Sequence, residues 1–148
     1  CVMELAAYIH DWGAYPAYMK KGVEHAVRSR QVVEAEILPR LDLAPEQKEA
    51  LLEAIELHDY RDMRPTKSNE ALLLREADML EFLGVIGMAR DFVRGPRDLE
   101  NCYKRIISRR YGIQSRFIIP RAQEIARIRL ERMETSLGWL NEESFGIL

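Results

Sequence analysis

Apolar residues recur at three- and four-residue spacing along almost the whole of this chain, while alternating apolar–polar runs of strand type are nearly absent. Glycine and proline cut the pattern into segments. Residues 2–10 read as the end of a buried helix, stopped by Asp11-Trp12-Gly13 and Pro16. Gly22 precedes a second helix that runs to about Leu38, where Pro39 ends it, with Val23, Ala26, Val27, Arg30, Val33 and Ile37 on one face. Pro45 suits a first helical position, and residues 45–58 carry Leu51, Leu52 and Ile55 on a common face. The stretch from Asp59 to Lys67, poor in apolar residues and holding Pro65, reads as a loop. Ser68 or Asn69 can cap a helix over Glu70–Leu83. Gly84 and Gly87 then allow close packing in a continuing or kinked helix to Arg94, before Gly95-Pro96 breaks the chain. Two more helices are expected over about 97–110 and 120–140, the second opened by Pro120. The pattern predicts an all-α bundle.

At 148 residues the chain suits a single domain with a substantial core, spanning residues 1–148. A net charge of −2 names no partner by itself, and no apolar run is long enough to span a bilayer. Two cysteines, Cys1 and Cys102, do not form a disulfide framework, and the expected compartment is the cytoplasm. Charge is nonetheless unevenly spread. From Arg90 to Arg132, eleven Arg and one Lys face five acids, a net of +7 that leaves −9 on the remainder. Such asymmetry attracts an anionic substrate or a nucleic acid, although a solvated or dimer-facing helix accounts for the alternation of acids and bases along the last helix.

More informative are polar residues on faces that should be apolar. Positions three, four and seven apart share a helix face. His10 falls on the stripe of Met3, Ala6 and Ala7; His58 on that of Leu51 and Ile55; Asp78 on that of Ala71 and Leu74. Asp11 follows His10 at a helix end, and His25 sits off the main stripe of its helix. Burying an unpaired carboxylate is very costly. Asp78 therefore needs either a partner such as Arg75 or a divalent cation that also takes neutral imidazole nitrogens.

The motifs carry a resemblance. Leu5-Ala6-Ala7-Tyr8-Ile9-His10-Asp11-Trp12-Gly13 resembles the motif that names the HD superfamily, an apolar helix ending in His-Asp and then a small residue. Arg75-Glu76-Ala77-Asp78-Met79-Leu80 is similar to the distal aspartate motif, Asp-Ala-Asp-x-Leu, with Glu76 in place of the first Asp. Glu24-His25-Ala26 and Glu56-Leu57-His58-Asp59 match the two extra histidines of the subgroup that binds two metals. The similarity covers about residues 1–94. It implies an HD-domain helical bundle whose metal-binding core is 1–94, with 95–148 as a C-terminal helical extension. It also implies that His10, Asp11 and Asp78 bind one metal, that Asp11 bridges to a second, and that His25 and His58 complete the second site. The family pattern begins with a further His on a preceding helix, which the abrupt start of this numbering leads us to expect upstream.

The activity implied is that of a metal-dependent phosphohydrolase or phosphodiesterase, in which one or two divalent ions (Mn, Mg, Fe, Co, Ni or Zn) make a hydroxide nucleophilic toward a nucleotide or other phosphate ester. Asp11 and Lys21 are expected in the catalytic machinery, and Lys20, Arg61 and Lys67, in the loops after the two motifs, are expected to contact the phosphate. Trp12 and Tyr15 could stack on a base. The same ligand order also serves di-iron oxygenases, and a non-catalytic HD-like binding module is a third reading. The expected partner is a small phosphorylated substrate, with nucleic acid second and a homodimer contact in the second half.

Overall fold

The computed structural model describes residues 2–95 and 97–148; Cys1, and Pro96 of the expected Gly95-Pro96 break, lie outside them. Among the described residues are seven α-helices and no strand, in agreement with the all-α expectation: α1 (Val2–Ile9), α2 (His25–Val32), α3 (Pro45–Glu56), α4 (Asn69–Glu81), α5 (Gly84–Arg94), α6 (Leu99–Ile113) and α7 (Pro120–Glu143). The chain forms two compact units, residues 1–78 and 79–148, divided within α4.

In the first unit, Ala6 and Ile9 of α1 meet Leu51, Leu52, Ala54 and Ile55 of α3, with Val33, Ala71 and Leu74 closing the cluster. Leu51 and Ile55 are fully buried, and each such side chain stabilises the fold by about 1.5–3 kcal/mol. Two helices depart from the expected boundaries. Regular helix in α2 ends at Val32, and the chain widens into a π-turn over Val33–Ile37 before tightening into a 3-10 turn, Leu38–Arg40. Pro39 accounts for this, since it has no N–H to give the preceding turn and its ring crowds that turn's carbonyl. Helix α3 stops at Glu56, short of the expected residue 58, so His58 lies in the turn beyond the helix and not on its stripe.

Three contacts fix the loops of this unit. The 3-10 turn Trp12–Ala14 docks on α2 through Gly13, whose N–H donates to the Ser29 hydroxyl at 2.8 Å. A Cβ on Gly13 would lie 2.2 Å from the His25 carbonyl oxygen, so only glycine permits the approach. Buried Arg75 of α4 donates to the Leu57 carbonyl at 2.6 Å and to the Arg64 carbonyl at 3.0 Å, bracing both ends of the loop that carries His58. Glu53 accepts from the backbone N–H of Lys67 (2.7 Å) and Ser68 (2.9 Å), and the Ser68 hydroxyl caps α4 through Ala71 N–H, as its sequence suggests.

The second unit packs α5 against α6 and α7. Gly84, at φ +81°, turns the chain between α4 and α5, so these are separate helices rather than one kinked one. Cys102, Ile106 and Ile113 of α6 and Ala122, Ala126, Met133 and Leu137 of α7 are buried. Buried Asp91 accepts from Arg105 Nε at 3.0 Å and Arg109 Nη1 at 2.5 Å. Cys102 is a free, buried thiol whose Sγ lies 3.4 Å from the Asp91 carbonyl oxygen. Much of the basic charge of this half is paired internally: Arg110 with Glu134, Arg121 with Glu124, Arg127 with Glu131.

Candidate metal centre

Asp11 leaves the end of α1 in a non-helical turn, which projects its carboxylate toward three imidazoles from three different places in the chain. Its Oδ1 lies 3.3 Å from His58 Nε2 and 3.5 Å from His25 Nε2. Its Oδ2 lies 3.8 Å from His10 Nε2. The two carboxylate oxygens thus address different histidines, the disposition a bridging carboxylate needs. His25 and His58 approach each other at 3.3 Å, Nε2 to Nε2, and both His10 and His25 stand edge-on to the His58 ring.

Local structure sets each ring. His10 Nδ1 donates to the Ala7 carbonyl at 2.9 Å, and His58 Nδ1 donates to the Ile55 carbonyl at 2.7 Å. With Nδ1 committed to a carbonyl, Nε2 of each ring is the nitrogen turned toward Asp11, and it is the one the neutral ring would offer to an ion. His25, the first residue of α2, is half-buried and turned into the cluster, although its position off the apolar stripe left exposure open. His58 is almost wholly buried.

The charges follow from this geometry. The hydrogen bond from His58 holds the Asp11 carboxyl down at about 2, against the opposing effect of burial. Burial, followed by the neighbouring His58, pushes His25 below the ordinary histidine value. Burial alone would lower His58 too, but the hydrogen bonds to Asp11 and Ile55 and the charge of Asp78 carry it upward. Asp78, half-buried on α4, thus acts on the same cluster from a fourth segment.

These donors suit a divalent cation. Four ligand atoms around an ion with bonds of about 2.1 Å stand roughly 3.4 Å apart in a tetrahedron. Asp11 Oδ1, His25 Nε2 and His58 Nε2 are mutually separated by 3.3–3.5 Å. His10, Asp11 and His58 also form a group able to hold an ion, and so do Glu24, His25 and Asp59.

Asp59 and Glu24 were legible only as motif neighbours of His58 and His25. Asp59 is buried and pairs bidentately with Arg61, whose Nη2 lies 2.5 Å from Asp59 Oδ2 and 4.0 Å from a Glu24 oxygen. Burial opposes ionisation of Asp59, yet the Arg61 hydrogen bonds outweigh it and lower its pKa. Of the expected phosphate contacts, Arg61 is therefore at the cluster. Lys67 is not: its backbone is fixed by Glu53, and it lines a separate groove of about 640 Å³ with Glu46, Glu49 and Glu53. Lys20 and Lys21 are exposed on the loop before Gly22, and no hydrogen bond or ion pair joins either side chain to the cluster among the described residues. Trp12 is already stacked on Tyr18, at 5.3 Å between ring centroids, while Tyr15 is exposed.

A family model for the HD domain matches residues 1–83, a span that holds every one of these residues. The chain belongs to the HD domain family. No curated protein and no solved structure matches it. HD domains bind divalent cations and are often metal-dependent phosphohydrolases, and in this HD domain the His-Asp pair of the family name stands at the centre of the cluster. No helix among the described residues is long and apolar enough to cross a membrane.

Proposed function

We propose that this HD domain is a metal-dependent phosphohydrolase that cleaves a phosphate ester or anhydride, of nucleotide or similar small-molecule type. The observation that carries the reading is the convergence of Asp11 Oδ1, His25 Nε2 and His58 Nε2 at 3.3–3.5 Å, with His10 on the other oxygen of the same carboxylate. His10, Asp11 and Asp78 would hold one ion, and His25 and His58 would share Asp11 with a second. When bound, a divalent cation supplies Lewis acidity and an activated water at neutral pH.

The chain's own residues do the rest. Asp11 stays ionised throughout the physiological range and keeps its two oxygens divided between the histidines. Ala7 and Ile55 hold His10 and His58 in the tautomer that offers Nε2. Arg61 binds the substrate anion: Asp59 holds its Nε and Nη2, and its largely exposed guanidinium offers its remaining N–H groups to a phosphoryl oxygen. Lys20 and Lys21, on the loop that leads to His25, add positive charge for the substrate's remaining phosphate groups, and Lys21 is the nearer of the two in sequence.

The test is metal analysis of the purified protein, followed by a phosphate-release screen over nucleotides and simple phosphate esters with Mn²⁺, Mg²⁺, Co²⁺ or Ni²⁺. Release that a chelator abolishes and the metal restores is expected. Release indifferent to chelation, or a protein that takes up no divalent ion, contradicts the reading.

A further inference from the structure

Beside the three imidazoles, the structure holds a second constellation, which shares only His25 with the proposed inner ligands. Glu24, His25 and Asp59 each bring a ligand atom within 4.8 Å of the others. Two of the three are anionic, and His25 is the member shared with the inner set: its Nε2 lies 3.7 Å from Asp59 Oδ2 and 3.5 Å from Asp11 Oδ1. A group of acids is common at a protein surface without any ion. Here, however, a cation is already present. The Arg61 guanidinium is bonded to Asp59 and reaches Glu24 at 4.0 Å, and its charge bears on His25. Beside it opens a cavity of about 330 Å³, lined by Glu24, Glu56, Asp59 and Asp62 together with Arg61 and Arg64.

We propose that Glu24, His25 and Asp59 form an outer, weaker divalent-cation site, and that Arg61 is its resident counter-cation. The proposal rests on the inner metal reading and extends it. Oxygens from two carboxylates and one imidazole nitrogen suit Mn²⁺. Arg61 must give up its paired hydrogen bonds to the buried Asp59 before an ion enters, and that loss keeps the outer set weak. Because His25 faces both sets, filling the outer one draws a ligand from the inner one. Excess divalent ion therefore opposes the activity of the inner set, and Arg61 delays that occupancy.

Isothermal titration of the metal-free full chain with Mn²⁺ alone tests this. The wild type is expected to show a tight phase from the inner set and a weaker phase from the outer one. Glu24→Gln, at an exposed position, should lose the weaker phase and keep the tight one. Arg61→Gln should strengthen the weaker phase by about fivefold or more, the upper end for an exposed ion pair, since Asp59 is buried. Asp59→Asn should behave as Glu24→Gln does, and should it fail to fold, the Glu24 and Arg61 variants decide alone. A tight phase with no weaker one, or a weaker phase unchanged in both Glu24→Gln and Arg61→Gln, overturns the outer site and leaves the inner reading intact. Absence of any tight phase in the wild type overturns the inner reading itself.

Discussion

Asp11 and Asp91 are both carboxylates held in place by converging side chains, and the partners they meet are opposite in kind. Asp91, in the second unit, is buried and bonded to two guanidinium groups, Arg105 and Arg109, whose positive charge is permanent. Asp11, in the first unit, is half-exposed and meets three imidazoles. Arginine carries only donors, and two of them complete both oxygens of the buried Asp91 carboxylate. An imidazole whose Nδ1 is committed to a carbonyl keeps Nε2 as its one remaining ligand atom, and such nitrogens beside a carboxylate suit a divalent cation. The Asp91 cluster thus closes its charges internally, and the Asp11 cluster leaves its donors open to an ion.

The largest expected effect is on the closed side. Asp91→Ala leaves the largely buried Arg109 without its counter-ion and should cost about 3 kcal/mol in denaturant unfolding, with metal binding retained in the folded fraction. A loss below about 1 kcal/mol would show that the pair is not the closed site described. Gly13→Ala sharpens the open side. Its Cβ would press on the His25 carbonyl and the backbone N of Ser29, so a loss of about 1–3 kcal/mol should come with weaker divalent-ion binding, because the turn that carries Asp11 must withdraw from α2. Unaltered binding in the folded variant would mean that this docking does not set the position of Asp11.

The smallest effect concerns Glu53, which ties Lys67 and Ser68 to α3. Glu53→Gln should cost about 1 kcal/mol near pH 7. Burial opposes ionisation of Glu53, but the Ser68 and Lys67 hydrogen bonds prevail and its pKa lies below 4.5. A carboxylate with a depressed folded-state pKa adds stability that is full above the unfolded value and fades as pH falls through the folded one. The gap between wild type and variant in unfolding free energy should therefore be complete at pH 6–7 and shrink below about pH 4.5. A gap independent of pH would assign the effect to shape alone.

The helices were legible because Pro45, Pro120, Ser68 and Gly95 act locally on the backbone, and each stands at an element end where its chemistry belongs. The convergence of His10, His25 and His58 was legible from motif order rather than from periodicity. His58 lies past the end of α3 and is turned inward by its bond to Ile55, and His25 faces the cluster from a helix start off the apolar stripe. What periodicity could not reveal was competition among charges. Nothing local distinguishes Arg61, clasped by Asp59, from Lys67, whose loop is pulled toward Glu53; that choice is made by acids in other segments. The π-turn after Val32 escaped for a similar reason, since Pro39 marks an end to the helix without saying how the preceding turn gives way.

The most direct test is a Mn²⁺ titration of wild type, Asp11→Asn and Asp91→Asn, each confirmed as helical by circular dichroism. If the open cluster is a metal centre, Asp11→Asn should weaken the tight phase by about a hundredfold or more, while folded Asp91→Asn binds as the wild type does. Equal binding by wild type and Asp11→Asn would contradict the claim that three histidines and one aspartate are assembled here to hold an ion.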